Sequence, residues 1–227
     1  MPNIIAEGTQ FQVIPLQVTE ALKSIHYFLV EDVRTARRYL SSLKIYPAID
    51  SLQFDVLNKD TKESELAELM KPLMGGNNIG VISESGCPGV ADPGSIAVAY
   101  AHQRNIQVIP LVGPSSILLA LMASGLNGQN FAFHGYLSVD EKEAIKLIKE
   151  LARDSERKNQ TQLFIETPYR NNQVLDHLLN ALKPETKLSI ALGVTGASEF
   201  IQTKTVQEWK KNRPVLPKEP ALFLFLN

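Results

Sequence analysis

Cysteine is almost absent from this chain. Cys87 is the single one in 227 residues, so no internal disulfide can form and packing alone must hold the fold. That suits a reducing compartment, and the expected location is the cytoplasm. Aromatic residues are sparse at 7%, too few for an open platform that stacks bases. Net charge is also nearly absent, at −1. No global field therefore draws the chain to nucleic acid or to a membrane, and a polyanionic partner has to be met by a local basic face. No apolar run reaches the ~20 residues of a membrane span. The start, Met1 to Gly8, lacks the basic region and long apolar core of a secretory signal. No cluster of His, Cys and Asp has metal-ligand spacing, so no metal site is expected. What remains is ordinary: 44% hydrophobic and 21% charged residues, the balance of a globular protein with a real core. The length suits one large domain or two small ones.

Strand-like and helix-like segments alternate, which predicts an α/β protein. Short apolar strands are expected at 26–30, 79–83, 106–112, 131–134, 163–166, 188–192, 199–206 and 221–226. Helical spacing is read at 31–43, 61–74, 95–104, 117–124, 140–153 and 172–182. The charged stretch Glu141 to Lys158 holds five acids and six bases, which nearly cancel, and it reads as a solvated helix face. The natural division falls between Val112 and Gly113, giving an N-terminal domain 1–112 and a C-terminal domain 113–227.

The most informative stretch is Ser83-Glu84-Ser85-Gly86-Cys87-Pro88-Gly89-Val90-Ala91-Asp92-Pro93-Gly94. Its glycines and prolines exclude both a helix and a strand interior. It follows an apolar strand, and open α/β sheets bind ligands just beyond the carboxyl ends of their strands. A pair of tight turns is the plain reading; a cofactor loop is the functional one. Gly113-Pro114-Ser115-Ser116 opens the next apolar helix. Ser115 and Ser116 either cap that helix or hold a ligand's polar atoms at its N-terminus. Glu166 ends a strand, where it is a ligand acceptor or a salt-bridge carboxylate. Arg34, Arg37 and Arg38 on one helix, and Lys204, Lys210, Lys211, Arg213 and Lys218 near the end of the chain, are two local basic surpluses. Each is a phosphate face or a solvated surface.

These motifs resemble the tetrapyrrole methylase superfamily (class III methyltransferases), and within it the bacterial small-subunit ribosomal RNA (cytidine-2′-O)-methyltransferases. Residues 83–94 resemble the family's SDAGTPxxxDPG loop. Val30-Glu31-Asp32-Val33-Arg34-Thr35-Ala36-Arg37 resembles its EDTRxTxK helix start. Residues 111–126 resemble PGPSA…ALxxSGL, residues 133–137 resemble FxGFLP, and residues 164–170 resemble FYESPHR. The matches keep their order and spacing from about position 26 to the end. Two segments depart from the pattern. The family's opening apolar strand and TPIGN loop have no counterpart ahead of Pro2. Its RELTKxHE segment is here Leu192-Gly193-Val194-Thr195-Gly196-Ala197-Ser198-Glu199, without the Arg and Lys.

The resemblance implies a two-domain α/β homodimer of tetrapyrrole methylase-like fold, with S-adenosyl-L-methionine in the interdomain cleft. It implies methyl transfer to an oxygen, a ribose 2′-hydroxyl in ribosomal RNA or the small ribosomal subunit. Gly86, Cys87, Pro88 and Ala91 then fall on cofactor-loop positions, joined by Ser115, Ser116 and Glu166. Cys87 would act through its backbone, since a thiol is a weak hydrogen-bonding group; a catalytic thiol is the sharper alternative. Methyl transfer needs an aligned acceptor oxygen, excluded water and a base. Glu31, Asp32 and Asp92 are the candidate bases and Arg34 the positioning cation. Against those roles stand helix N-terminal charge compensation for Glu31 and Asp32, and turn-setting for Asp92. A small-molecule, tetrapyrrole-like methylase and a cofactor-binding protein without turnover remain as alternatives.

Overall fold

The computed structural model describes residues 1–227, the side chain of Glu63 excepted. The chain forms two compact units, Met1–Ser115 and Ser116–Asn227. The second begins three residues beyond the expected division between Val112 and Gly113.

The first unit contains α1 (Gln10–Val13), α2 (Leu16–Leu22), β1 (Tyr27–Val30), α3 (Val33–Ser42), β2 (Gln53–Val56), α4 (Glu63–Leu69), α5 (Lys71–Met74), β3 (Ile79–Ile82) and α6 (Gly94–Gln103). The three strands form a parallel sheet in the order β2-β1-β3. Parallel strands need helical crossovers, and these cover both faces. Phe28, Val30 and Ile82 face a cluster with Val18, Leu22 and Leu40. Leu29 and Val81 face the opposite cluster with Leu66, Ala97 and Tyr100. Gly80 is required where it stands: a Cβ there would lie 2.8 Å from the ring of fully buried Phe28.

The second unit contains α7 (Ser116–Ser124), β4 (Phe131–Tyr136), α8 (Glu141–Lys158), β5 (Thr161–Glu166), α9 (Asn171–Ala181), β6 (Lys187–Leu192), β7 (Phe200–Thr205), α10 (Val206–Lys211) and β8 (Ala221–Leu226). Its sheet runs β4-β5-β8-β6-β7. β4 and β5 are parallel; the remaining pairs are antiparallel. Side chains alternate across a strand. Phe223 and Phe225 thus enter the core under α8, α9 and α10, while Leu222 and Leu224 enter the core under α7.

Three expectations are corrected. Residues 106–112 form no strand. Burial alternates only over 106–109, with Ile106 and Val108 half-buried and Gln107 and Ile109 exposed; a strand exists only by pairing, and the sheet ends at β3. The helix expected over 61–74 is two, α4 and α5, broken at Met70. Pro72 has no N–H to continue the ladder. The helix expected to stop at Arg153 runs to Lys158, where Asn159 closes it in the left-handed region at φ 49°. Sequence patterning leaves α1, α2, β2 and α10 unmarked. The last is fixed by a capping box between Thr205 and Glu208.

Candidate cofactor and acceptor site

The loop after β3 is pinned by hydrogen bonds at several points. Gly86 and Gly89 take positive φ, at 69° and 80°, which glycine adopts without steric cost. Ala91 does so at φ 58° without being glycine. Such a conformation costs an L-residue roughly 1–2 kcal/mol and persists only when its surroundings impose it. Asp92 is one of those surroundings. Its Oδ1 accepts from the N–H groups of Gly89 at 2.5 Å and Gly94 at 2.7 Å. Ser83, buried at the strand end, donates to the Ser85 carbonyl at 3.0 Å. The Cys87 thiol donates to the Pro114 carbonyl at 3.4 Å, which ties the two glycine-proline segments of this unit together. Burial pushes that thiol upward from its ordinary pKa. A neutral, hydrogen-bonded thiol has a structural role, so the catalytic-thiol alternative finds no support in its surroundings.

Asn3 supplies contacts that no sequence pattern marks. It is buried, its N–H donates to Gly86 O at 2.8 Å, and its side-chain amide donates to Ser83 O and Glu84 O at 2.9 and 3.0 Å. A lone asparagine in an irregular segment carries no periodicity or motif by which to find it.

Glu31, directly after β1, accepts from the Glu84 N–H at 3.1 Å. It therefore sits against the loop. Burial, followed by the charges of Asp92 and Glu84, raises its pKa, and the backbone bond opposes that only in part. Asp32 is otherwise engaged. It is the N-cap of α3, accepting from Thr35 N at 2.6 Å, and its bonds to Thr35 hold its carboxyl below the usual range. Arg34 is exposed and enters no ion pair among the described residues. Arg37 pairs with Asp50 and lies over Phe54; Arg38 pairs with Glu7. The fold thus brings Glu31, Gly86, Cys87 and Asp92 together, with Asp32 and Arg34 on the adjoining helix start.

In the second unit, Ser116 opens α7 and Glu166 ends β5. The Glu166 side chain is 1% exposed. Its Oε1 accepts from Thr167 N at 2.7 Å, while Oε2 lies 3.5 Å from the Arg170 guanidinium and has no hydrogen bond. Arg170 directs its Nη1 and Nη2 donors to the Leu137 and Ser138 carbonyls. The salt bridge is real, and the orphaned oxygen leaves an acceptor for a ligand donor. An adenosyl group offers such donors. Taken by itself, the first unit's loop has amides that suit the carboxylate of a methionine moiety.

The fold is similar to that of a solved methyltransferase. The crystal structure of the methyltransferase CobJ overlays 95% of this chain and 88% of its own at a TM-score of 0.61, with 17% sequence identity. Particular relatives are also named methyltransferases. The chain is 30% identical over 192 residues to the ribosomal RNA small subunit methyltransferase I of Synechocystis, covering 84% of this chain and 65% of that protein. It is 29% identical over 195 residues to the protein of the same name from Vibrio cholerae, covering 86% and 65%. A third of that name, from Bacillus subtilis, is 29% identical over 189 residues, covering 83% and 61%. The chain thus spans just under two thirds of the curated relatives it matches first. No family model matches it. The resemblance read from the motifs agrees with the names of these relatives, each called a ribosomal RNA small subunit methyltransferase I, and with the likeness in fold to CobJ.

Proposed function

We propose that the chain is an S-adenosylmethionine-dependent methyltransferase that places a methyl group on a ribose 2′-hydroxyl of small-subunit ribosomal RNA. The observation that carries this is the 83–94 loop, with strained Ala91 and two left-handed glycines locked by Asp92, Asn3 and Cys87. Strain of that kind gathers at ligand sites. The names of the relatives from Synechocystis and Vibrio cholerae support the RNA acceptor.

Bound S-adenosylmethionine supplies a methyl group on a sulfonium whose departure leaves a neutral thioether. The backbone around Gly86, Cys87, Pro88 and Ala91 binds and orients it, with Ser115, Ser116 and Glu166 adding polar contacts. Asp92 positions the loop. Glu31 is the base that takes the acceptor hydroxyl's proton, since burial raises its pKa from the ordinary glutamate value, toward the working pH. Asp32 fixes the start of α3, which presents exposed Arg34 to a phosphate of the acceptor. The protein works in the cytoplasm as a homodimer; exposed Met122, Val139 and Tyr169 offer apolar surface for a second copy. Among the described residues no helix is long and apolar enough to cross a membrane.

Radiolabelled methyl transfer to small subunits from a strain lacking the modification tests the assignment. Label is expected in a ribose. Glu31→Gln is expected to lower the transfer rate by about 10²–10⁴, the usual worth of a general base. The wild-type rate is expected to rise with pH as Glu31 loses its proton, at a pH above that of an ordinary glutamate. A flat profile, or full activity in the variant, would remove Glu31 from the base role.

A further inference from the structure

The eleven charges of residues 141–158 nearly cancel along the sequence. Folding sorts them. At 100° per residue, the side chains of Lys142, Lys146, Lys149 and Arg153 fall within an arc of roughly 60° on one face of α8. All four are exposed. Roughly opposite them, Ala144, Ile148, Leu151 and Ser155 are buried under the helix. The acids lie on the flanks, Glu143, Glu150 and Asp154 on one side and Glu141 and Glu156 on the other.

The flanking charges are partly spent. Asp154 pairs with Arg157 at 2.6 Å and with Lys158 at 3.0 Å, and Glu156 pairs with Lys183 at 2.8 Å. None of the four stripe cations enters an ion pair among the described residues. They form a straight row of roughly 16 Å, at the helical rise of 1.5 Å per residue.

We infer that this stripe of α8 docks the sugar-phosphate backbone of the RNA acceptor, an inference that rests on the ribosomal RNA reading above. Charge complementarity selects the occupant. A row of unpaired cations stepping by one helical turn matches a linear polyanion, and neutralised phosphates release counterions. An anionic membrane is a poorer match. A membrane-surface helix needs an apolar face to insert, and the apolar face of α8 is consumed by the core. The other basic surpluses are weaker candidates. Arg37 and Arg38 are held by Asp50 and Glu7, Arg213 by Asp176, and Lys204 lies over Trp209. The stripe carries no sequence information itself; it fixes orientation, as phosphate contacts do.

The test is a triple reversal, Lys142→Glu, Lys146→Glu and Lys149→Glu, in the full chain. A labelled fragment of small-subunit ribosomal RNA is titrated across a salt series. Expected are an affinity at least tenfold weaker at low salt and a log–log salt slope reduced by about 2, from about 0.7–0.9 per lost phosphate contact. The thermal midpoint and S-adenosylmethionine affinity should not change, and Lys→Gln at the same positions should give an intermediate loss. A comparison variant, Lys210→Glu with Lys211→Glu, should lose little. Equal loss in both variants, or none in the triple variant while the wild type binds and methylates RNA, overturns the stripe and leaves the activity standing. Binding to anionic phospholipid vesicles but not RNA overturns the stripe's assignment. No RNA binding or methylation by the wild type at all overturns the acceptor reading with it.

Discussion

Gly86→Val should weaken S-adenosylmethionine binding by roughly 100-fold in a calorimetric titration. Gly86 is buried at φ 69°. A left-handed conformation costs an L-residue about 1–2 kcal/mol, and a β-branched side chain is a harder case still. The chain must leave that conformation or bear the strain. Leaving it moves the Gly86 carbonyl off Asn3 N–H and shifts Cys87 from Pro114. About 2.8 kcal/mol of combined strain and lost alignment corresponds to the stated factor, at 1.4 kcal/mol for each tenfold. The second unit's sheet is built independently, so its cores should be untouched. Affinity within twofold of wild type would mean that the loop's backbone does not hold the ligand.

Arg170→Ala should destabilise the protein by about 3 kcal/mol in urea denaturation. Among the described residues, its guanidinium is the only cation paired with Glu166, whose side chain is 1% exposed. Removing one member of a buried pair leaves the other charge uncompensated. It also frees the Leu137 and Ser138 carbonyls, which accept from Arg170 in the folded chain. Glu166→Gln added to Arg170→Ala should recover more than half of the loss, because the stranded charge is then gone. Strict additivity of the two substitutions would show that the carboxylate and guanidinium are not coupled.

Much of the fold is legible in the amino-acid sequence alone. Strong periodicity and clear punctuation place α3, α9, β5, β6 and β8 within a residue or two. The glycine–proline loop announces itself by composition, and Asp92 as its turn-setter follows from an acid before proline. Other features are not local properties. Residues 106–112 are apolar enough for a strand, yet pairing depends on a neighbour that no local pattern reveals. Asn3 matters because the fold carries it to Ser83 and Glu84, some eighty positions away. Asp32 and Glu31 look alike in sequence. Only folding separates them, giving one to a helix cap and the other to the loop. The stripe on α8 stays hidden because its charges sum to almost nothing until the helix sorts them by face.

Backbone amide exchange with and without S-adenosylmethionine tests the central claim most directly. Saturating cofactor should slow exchange at Gly86, Cys87, Gly89, Val90 and Ala91 by at least tenfold. Protection confined to other segments, or none at millimolar cofactor, would contradict the assignment of the 83–94 loop as the cofactor's seat.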